Sequence, residues 1–149
     1  MTLIENLEEM VSSLQIYTSY LSSENIERIV SNNLLPVFIL RYIRNIKCVS
    51  GWYGTPLHVP ELSPSNELFW EYRDGKIDQK EYTKKFLIEI CEVNFHKLIK
   101  KFEFLADSCS ADGVVLCAIG NKETSHRTIV SDILWRTGYL IYKPTELYV

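Results

Sequence analysis

A run of polar residues, NKETSHR at 121–127, directly follows a short apolar stretch, GVVLCAIG at 113–120. Ser125 is a good N-cap residue, so it would begin a helix whose first turn contains His126 and Arg127. The amides of a helix N-terminus bind anions, whereas its dipole disfavours cations. A histidine and an arginine at this position therefore indicate an anion site, with Arg127 and the Ser125 hydroxyl as ligand contacts. His126 is the candidate catalytic acid or base, because imidazole titrates near neutral pH.

Arg41 is a second candidate ligand contact. It directly follows the apolar residues VFIL, and a charge at the rim of a buried strand needs a partner or a ligand. If both arginines bind one anion, Arg41 and Arg127 converge at one edge of the sheet. The alternative for each is an ion pair within the protein. The acidic candidates are Glu61 or Glu67 for Arg41, and Glu123 or Asp132 for Arg127.

Hydroxyl and aromatic side chains complete the candidate ligand site: Thr18, Ser19, Tyr20, Trp52 and Tyr53. The first three end a predicted strand and offer hydroxyl groups at its rim. The other two lie in an irregular segment, residues 44–64, which glycines and prolines punctuate. A loop of about twenty residues inside a compact domain is often functional. Its aromatic side chains would cover a planar ligand, or alternatively pack over the sheet.

Metal and thiol chemistry are not predicted. The four cysteines and three histidines show no metal-ligand spacing, so we expect no metal site and no cofactor. Cys117 lies within the apolar stretch and is expected to be part of the core.

Composition and charge argue against several classes of partner. Sixteen Lys and Arg against 19 Asp and Glu give a net charge of −3, so nucleic acid is not an expected partner. No apolar run approaches the roughly 20 residues needed to cross a bilayer, so no membrane partner is expected either. The N-terminus is acidic and helical in period, unlike a secretory signal, which predicts a cytoplasmic protein with reduced thiols.

The strands and helices that the sequence predicts form one α/β domain over residues 1–149. Apolar segments predict strands at 14–21, 34–43, 113–120 and 139–143. Helices are predicted at 2–12, 23–33, 66–75, 78–107 with a break near 92–94, and 127–137. This alternation indicates a single-domain parallel, Rossmann-like sheet with helices on both faces, preceded by a helical extension over 1–13. Ligands of such sheets bind beyond the carboxyl ends of the strands, where segment 44–64 would lie over the site.

Four segments together resemble the domain of unknown function 488 family, which consists of small bacterial, archaeal and phage-borne α/β proteins. They are IYTSYL, LPVFILRY, ELSPSNELFWEYRDGKIDQKEY and GVVLCAIGNKETSHR. The resemblance runs from about residue 14 to the end of the chain. It implies that the family's characteristic positions are Thr18, Ser19, Arg41, Pro64, Ser65, Tyr82, Cys117, His126 and Arg127.

Two positions depart from the family pattern. Ser125 stands where the family usually has cysteine, and Ile119 stands where an acidic residue is usual. If the family's cysteine does redox or covalent work, this chain lacks it. If the site only holds an anion, Ser125 serves as well.

Two functional classes follow from these observations. The first is binding of a small anionic, nucleotide-like ligand at the C-terminal edge of the parallel sheet, with hydrolase or transferase activity. The alternative is a non-catalytic module, carried by a phage, that sequesters a ligand or binds a protein partner. A homo-oligomer is compatible with both classes.

Overall fold

The structure is a computed structural model that describes residues 11–42 and 57–148. Residues 44–56 of the predicted irregular segment lie outside the described residues, and with them the candidate ligand contacts Trp52 and Tyr53. The described residues form a single α/β domain.

Five parallel strands of the described residues form one sheet, in the order β3-β2-β4-β1-β5. They are β1 Ile16–Tyr20, β2 Leu34–Phe38, β3 Leu57–His58, β4 Gly113–Ala118 and β5 Thr145–Glu146. The strands β2 and β4 are buried along their whole length. Because both faces of these strands are covered, their sequences are nearly continuous apolar runs and not alternating ones.

Five α-helices cover the sheet within the described residues. They are α1 Ser23–Ser31, α2 Asn66–Arg73, α3 Gln79–Ile90, α4 Phe95–Ser108 and α5 His126–Arg136, with a short 3-10 helix at Pro60–Leu62. Each α-helix begins after a polar residue whose side chain accepts a hydrogen bond from a first-turn amide. These caps are Ser22, Ser65, Asp78, Asn94 and Ser125. The predicted break near 92–94 is confirmed as the turn between α3 and α4.

The strands β1 and β4 are neighbours in the sheet, and the connections that leave them run in opposite directions across it. From β1 it passes through α1 to β2 on one side, and from β4 it passes through α5 to β5 on the other. Crossovers between parallel strands are right-handed, so these two helices lie on opposite faces. This confirms the predicted fold, a parallel sheet with helices on both faces. A reversal of this kind opens a crevice at the carboxyl ends of the two strands.

The last predicted strand, at 139–143, is wrong. Gly138 ends α5 with φ +83, and of residues 139–143 only Leu140 pairs, in an isolated parallel bridge with Ser12. The strand lies a few residues later, at β5. The same bridge shows that the helix predicted over 2–12 does not reach Ser12. Its residues up to 10 lie outside the described part.

Segment 57–64 is more regular than predicted. It contains β3, which extends the sheet by pairing with Val37 and Phe38 of β2, and the 3-10 helix that follows. A strand of two residues is too short to give a periodic pattern, so the sequence could not reveal it.

Candidate site at the carboxyl end of the sheet

The guanidinium of Arg127 is buried and paired with a carboxylate. Its side chain is 1% exposed, and that of Glu146 in β5 is 6% exposed. The Nε atom of Arg127 lies 3.0 Å from Oε1 of Glu146, and Nη2 lies 2.7 Å from Oε2. This two-pronged pair uses the edge of the guanidinium that best matches a carboxylate. The alternative partners proposed from the sequence, Glu123 and Asp132, are therefore wrong.

The remaining terminal nitrogen of Arg127, Nη1, donates hydrogen bonds to three successive main-chain carbonyls at the end of β4. It donates to Ala118 at 3.3 Å, to Ile119 at 3.2 Å and to Gly120 at 2.9 Å. In a planar trans peptide the N–H points away from the C=O. The amides that follow these carbonyls therefore face away from Arg127. Those of Gly120 and Asn121 donate to no other described residue.

Ser125 closes the loop between β4 and α5. Its Oγ donates to the carbonyl of Ile119 at 3.0 Å and accepts a hydrogen bond from the amide of Arg127 at 3.4 Å, as expected of the predicted N-cap. The amides of Thr124 and Ser125 both donate to the carbonyl of Asn121. These two amides are therefore used within the loop, unlike those of Gly120 and Asn121.

His126 joins the start of α5 to the end of β2. It is 7% exposed, and its Nε2 lies 2.5 Å from the carbonyl oxygen of Ile39. The ring of Phe86 packs edge-on against it, with the ring centroids 5.9 Å apart. Burial lowers the pKa of His126 to about 4, and the nearby charge of Arg127 acts in the same direction. The imidazole is therefore neutral at neutral pH.

The three hydroxyl residues at the end of β1 have different surroundings. Thr18 donates to Oε1 of Glu146. Ser19 is fully buried and donates to the carbonyl of Tyr20 at 3.0 Å. Tyr20 itself is 47% exposed, so it is the member of this group that presents its side chain to solvent.

Arg41 lies at the end of β2 and lines a pocket. Its Nε donates to the carbonyl of Pro64 and its Nη2 to that of Ser63, both at 2.9 Å. Within the described ranges no carboxylate forms an ion pair with it, so the alternative pairing with Glu61 or Glu67 is not observed. The pocket has a volume of about 920 Å³. Besides Arg41, its wall includes Glu61, Ser63, Ser65, Glu89, Glu92, Val93, Asn94, Lys97, Leu98 and Lys101.

The two arginines do not converge on one partner, contrary to our expectation. Arg41 contacts the segment after β3, whereas Arg127 contacts β5, and these are the two edge strands of the sheet. Four strand spacings separate the edges, or about 19 Å. Both residues lie toward the carboxyl end of the sheet, but only Arg41 is among the residues that line the described pocket.

A protein-family model matches residues 20–138, which is most of the chain. The chain belongs to the DUF488-N3a family. This family is described as the active DUF488-N3 subclade, and the match confirms the resemblance to the domain of unknown function 488 family. No curated protein and no solved structure matches the chain.

The matched range of this DUF488-N3a protein contains some of the site residues and leaves others outside. It includes Tyr20, Arg41, Ser125, His126 and Arg127, whereas the partner of Arg127, Glu146, lies beyond its end. Sequence reasoning missed Glu146. The sequence offered only an indirect signal for this partner. A buried arginine requires an acidic partner, and Glu146 follows the apolar residues YLIY at 139–142.

Two further features of the described residues bear on the predicted partners. No group of three or more His, Cys, Asp or Glu side chains there is arranged to hold a metal ion. None of the helices there has the length and apolar character that a membrane span requires.

Proposed function

We propose that this protein is an enzyme that acts on a small anionic, nucleotide-like ligand bound at the C-terminal edge of the sheet. Membership of a subclade described as active supports catalysis. The observation that carries the proposal is Arg41, whose charge faces a pocket without a carboxylate partner among the described residues.

Arg41 itself is positioned to bind an anion in that pocket. The wall also carries the acidic side chains of Glu61, Glu89 and Glu92 and the basic ones of Lys97 and Lys101. Two main-chain carbonyls hold the guanidinium by Nε and Nη2, so its position is fixed before a ligand arrives. Carbonyls orient the group but do not neutralise its charge, and its Nη1 has no partner among the described residues, so Nη1 is the candidate donor to a phosphate or carboxylate. A volume of about 920 Å³ lies within the roughly 300–1,000 Å³ range of small-molecule sites and accommodates a nucleotide.

The loop between β4 and α5 offers a second group of anion donors at the carboxyl end of the sheet, outside the pocket that Arg41 lines. It follows β4 at the change of strand direction, where parallel sheets bind ligands. Its amides at Gly120 and Asn121 donate to no described residue, and main-chain amides are common ligands of phosphate groups. The exposed ring of Tyr20, at the end of the neighbouring strand, is available to stack on a base.

In this proposal, hydrolysis or group transfer takes place at the carboxyl end of the sheet. His126 remains the candidate base because Nδ1 of its neutral form accepts a proton, and its pKa of about 4 makes it a weak one. Its Nε2 donates to Ile39, so the ring is already oriented. Arg127 acts by shaping the loop, since its guanidinium is occupied by Glu146 and by carbonyls.

A ligand screen tests the proposal. Thermal shift and native mass spectrometry against nucleotides and sugar phosphates are expected to give stabilisation and a bound mass. Arg41→Gln is expected to weaken binding by about tenfold or more, because a hydrogen bond to a charged group contributes roughly 1.5–3 kcal/mol. Arg136→Gln, which changes an arginine at the exposed end of α5, is the matched control. Equal affinities of both variants would rule out Arg41 as the ligand contact.

The non-catalytic alternative has two observations in its favour, namely serine at position 125 and isoleucine at position 119, where the resemblance to the family implies a cysteine and an acidic residue. Incubation of the bound ligand with the protein, followed by denaturation and mass spectrometry, distinguishes the two classes. An enzyme is expected to return a changed ligand. A sequestering protein would return it intact.

A further inference from the structure

We infer that Glu146 is a positioning residue of the anion site and that the C-terminal strand β5 is therefore part of that site. Acting through Arg127, its carboxylate sets the orientation of the peptide groups in the loop between β4 and α5. This inference rests on the proposed function, because it assumes that the loop contacts the anion. Glu146 lies beyond the residues that the family model matches.

The geometry of the guanidinium carries this inference. The carboxylate of Glu146 accepts hydrogen bonds from Nε and Nη2 of Arg127, and these two bonds fix the plane of the guanidinium. In that plane Nη1 points toward the end of β4, where it reaches the carbonyls of residues 118–120. The fork of an arginine is rigid, so the carboxylate on one edge determines where the other edge points.

Glu146 is itself held in place from two sides. Its Oε1 accepts a hydrogen bond from Thr18 in β1, and the next amide, that of Leu147, donates to the carbonyl of Thr18 at 2.8 Å. Burial alone would raise the pKa of this carboxyl, but the hydrogen bonds from Arg127 and Thr18 outweigh burial and keep the pKa below its usual range. The carboxylate is therefore ionised and immobile at neutral pH.

The position of the guanidinium also determines the direction of the N–H groups in the loop. With the carbonyls of 118–120 directed at Nη1, the N–H groups of Gly120 and Asn121 are directed away from it. Gly120 adopts φ +88, a conformation that side chains disfavour and that lets the chain turn at this point. Loss of the Glu146 charge would weaken the bonds that fix the plane of the guanidinium, and the peptide groups that Nη1 contacts would shift with it.

The test compares Glu146→Gln with two controls by ¹⁵N NMR and by titration with inorganic pyrophosphate. Gln keeps the size of the side chain but removes its charge. Glu71→Gln makes the same chemical change at an exposed ion pair with Lys85, and Ile29→Ala lowers stability from the buried face of α1. We expect only Glu146→Gln to shift the amide signals of Gly120 and Asn121 and to raise the dissociation constant for pyrophosphate about tenfold.

Each outcome decides the inference. Unchanged loop signals and unchanged affinity in folded Glu146→Gln would overturn it, and so would an equal loss of affinity in Ile29→Ala, which would mean a general effect of stability. If the wild type binds no pyrophosphate, the anion site at the loop is overturned, while the unliganded spectra still decide whether Glu146 orients it. If Glu146→Gln does not fold, Glu146→Asp, which keeps the charge but shortens the reach, is expected to shift the same two signals.

Discussion

The imidazole of His126 donates through Nε2 to the carbonyl of Ile39, 87 residues earlier in the chain. A carbonyl only accepts, so Nε2 carries the proton of the neutral ring. This bond connects the first turn of α5 to the end of β2. It therefore joins the two segments on which the candidate ligand contacts Arg127 and Arg41 lie.

The first prediction concerns acid stability. In the unfolded chain a histidine binds its proton near pH 6.5, whereas the pKa of His126 in the folded protein is about 4. Between these values the unfolded state binds more protons, so stability falls as the pH is lowered. The loss through this one residue is about 3 kcal/mol by pH 4. Urea unfolding measures the free energy of unfolding at pH 7 and at pH 5. The decrease between these two values should be smaller for His126→Gln than for the wild type. An equal decrease in both proteins would contradict the burial of His126.

The second prediction concerns the buried ion pair. Arg127→Met leaves the carboxylate of Glu146 without its partner, so we expect a loss of about 3–5 kcal/mol in the free energy of unfolding. The double variant Arg127→Met/Glu146→Leu should recover part of that loss, because no buried charge then remains. A double-mutant cycle in urea measures the coupling. Additive effects of the two changes would show that the pair does not couple.

Local signals made much of this fold predictable from the sequence. The strands β2 and β4 could be predicted because burial on both faces requires apolar residues throughout. The helix starts could be predicted because Ser22, Ser65 and Asp78 bond to amides only a few residues away. Both signals are contained within a short stretch of the chain, so they do not depend on the rest of the fold.

Long-range relationships could not be predicted in the same way. Arg127 stood out correctly as an unusual residue at a helix start, but its partner depends on which strand becomes the neighbour of β1. That strand, β5, has two residues and no periodic pattern. The sequence predicts Arg41 near the carboxyl end of a strand over 34–43, and β2 ends at Phe38, shortly before it. Its main-chain partners Ser63 and Pro64 depend on how the chain returns to the sheet after β3.

The third prediction concerns the start of β4. A Cβ atom on Gly113 would lie 2.7 Å from the main-chain oxygen of Gln15, which the sheet holds in place. Gly113→Ala should therefore cost about 1–3 kcal/mol by steric strain. Gly75→Ala measures the backbone cost alone, because nothing lies within 4 Å of its Cβ while its φ of +75 costs about 1–2 kcal/mol. An unchanged stability of Gly113→Ala would contradict the packing at β4.

The fourth prediction concerns the serine that stands where the family usually has cysteine. The Oγ of Ser125 caps α5 and donates to the carbonyl of Ile119, and a thiol does both less well. Ser125→Cys should therefore cost about 1 kcal/mol, close to the effect of Ser22→Ala at the cap of α1. If position 125 only supports the anion site, affinity for pyrophosphate should change by less than about 1 kcal/mol, since the loop amides remain in place. Turnover of a bound ligand by Ser125→Cys, but not by the wild type, would instead show that the family's cysteine takes part in the chemistry.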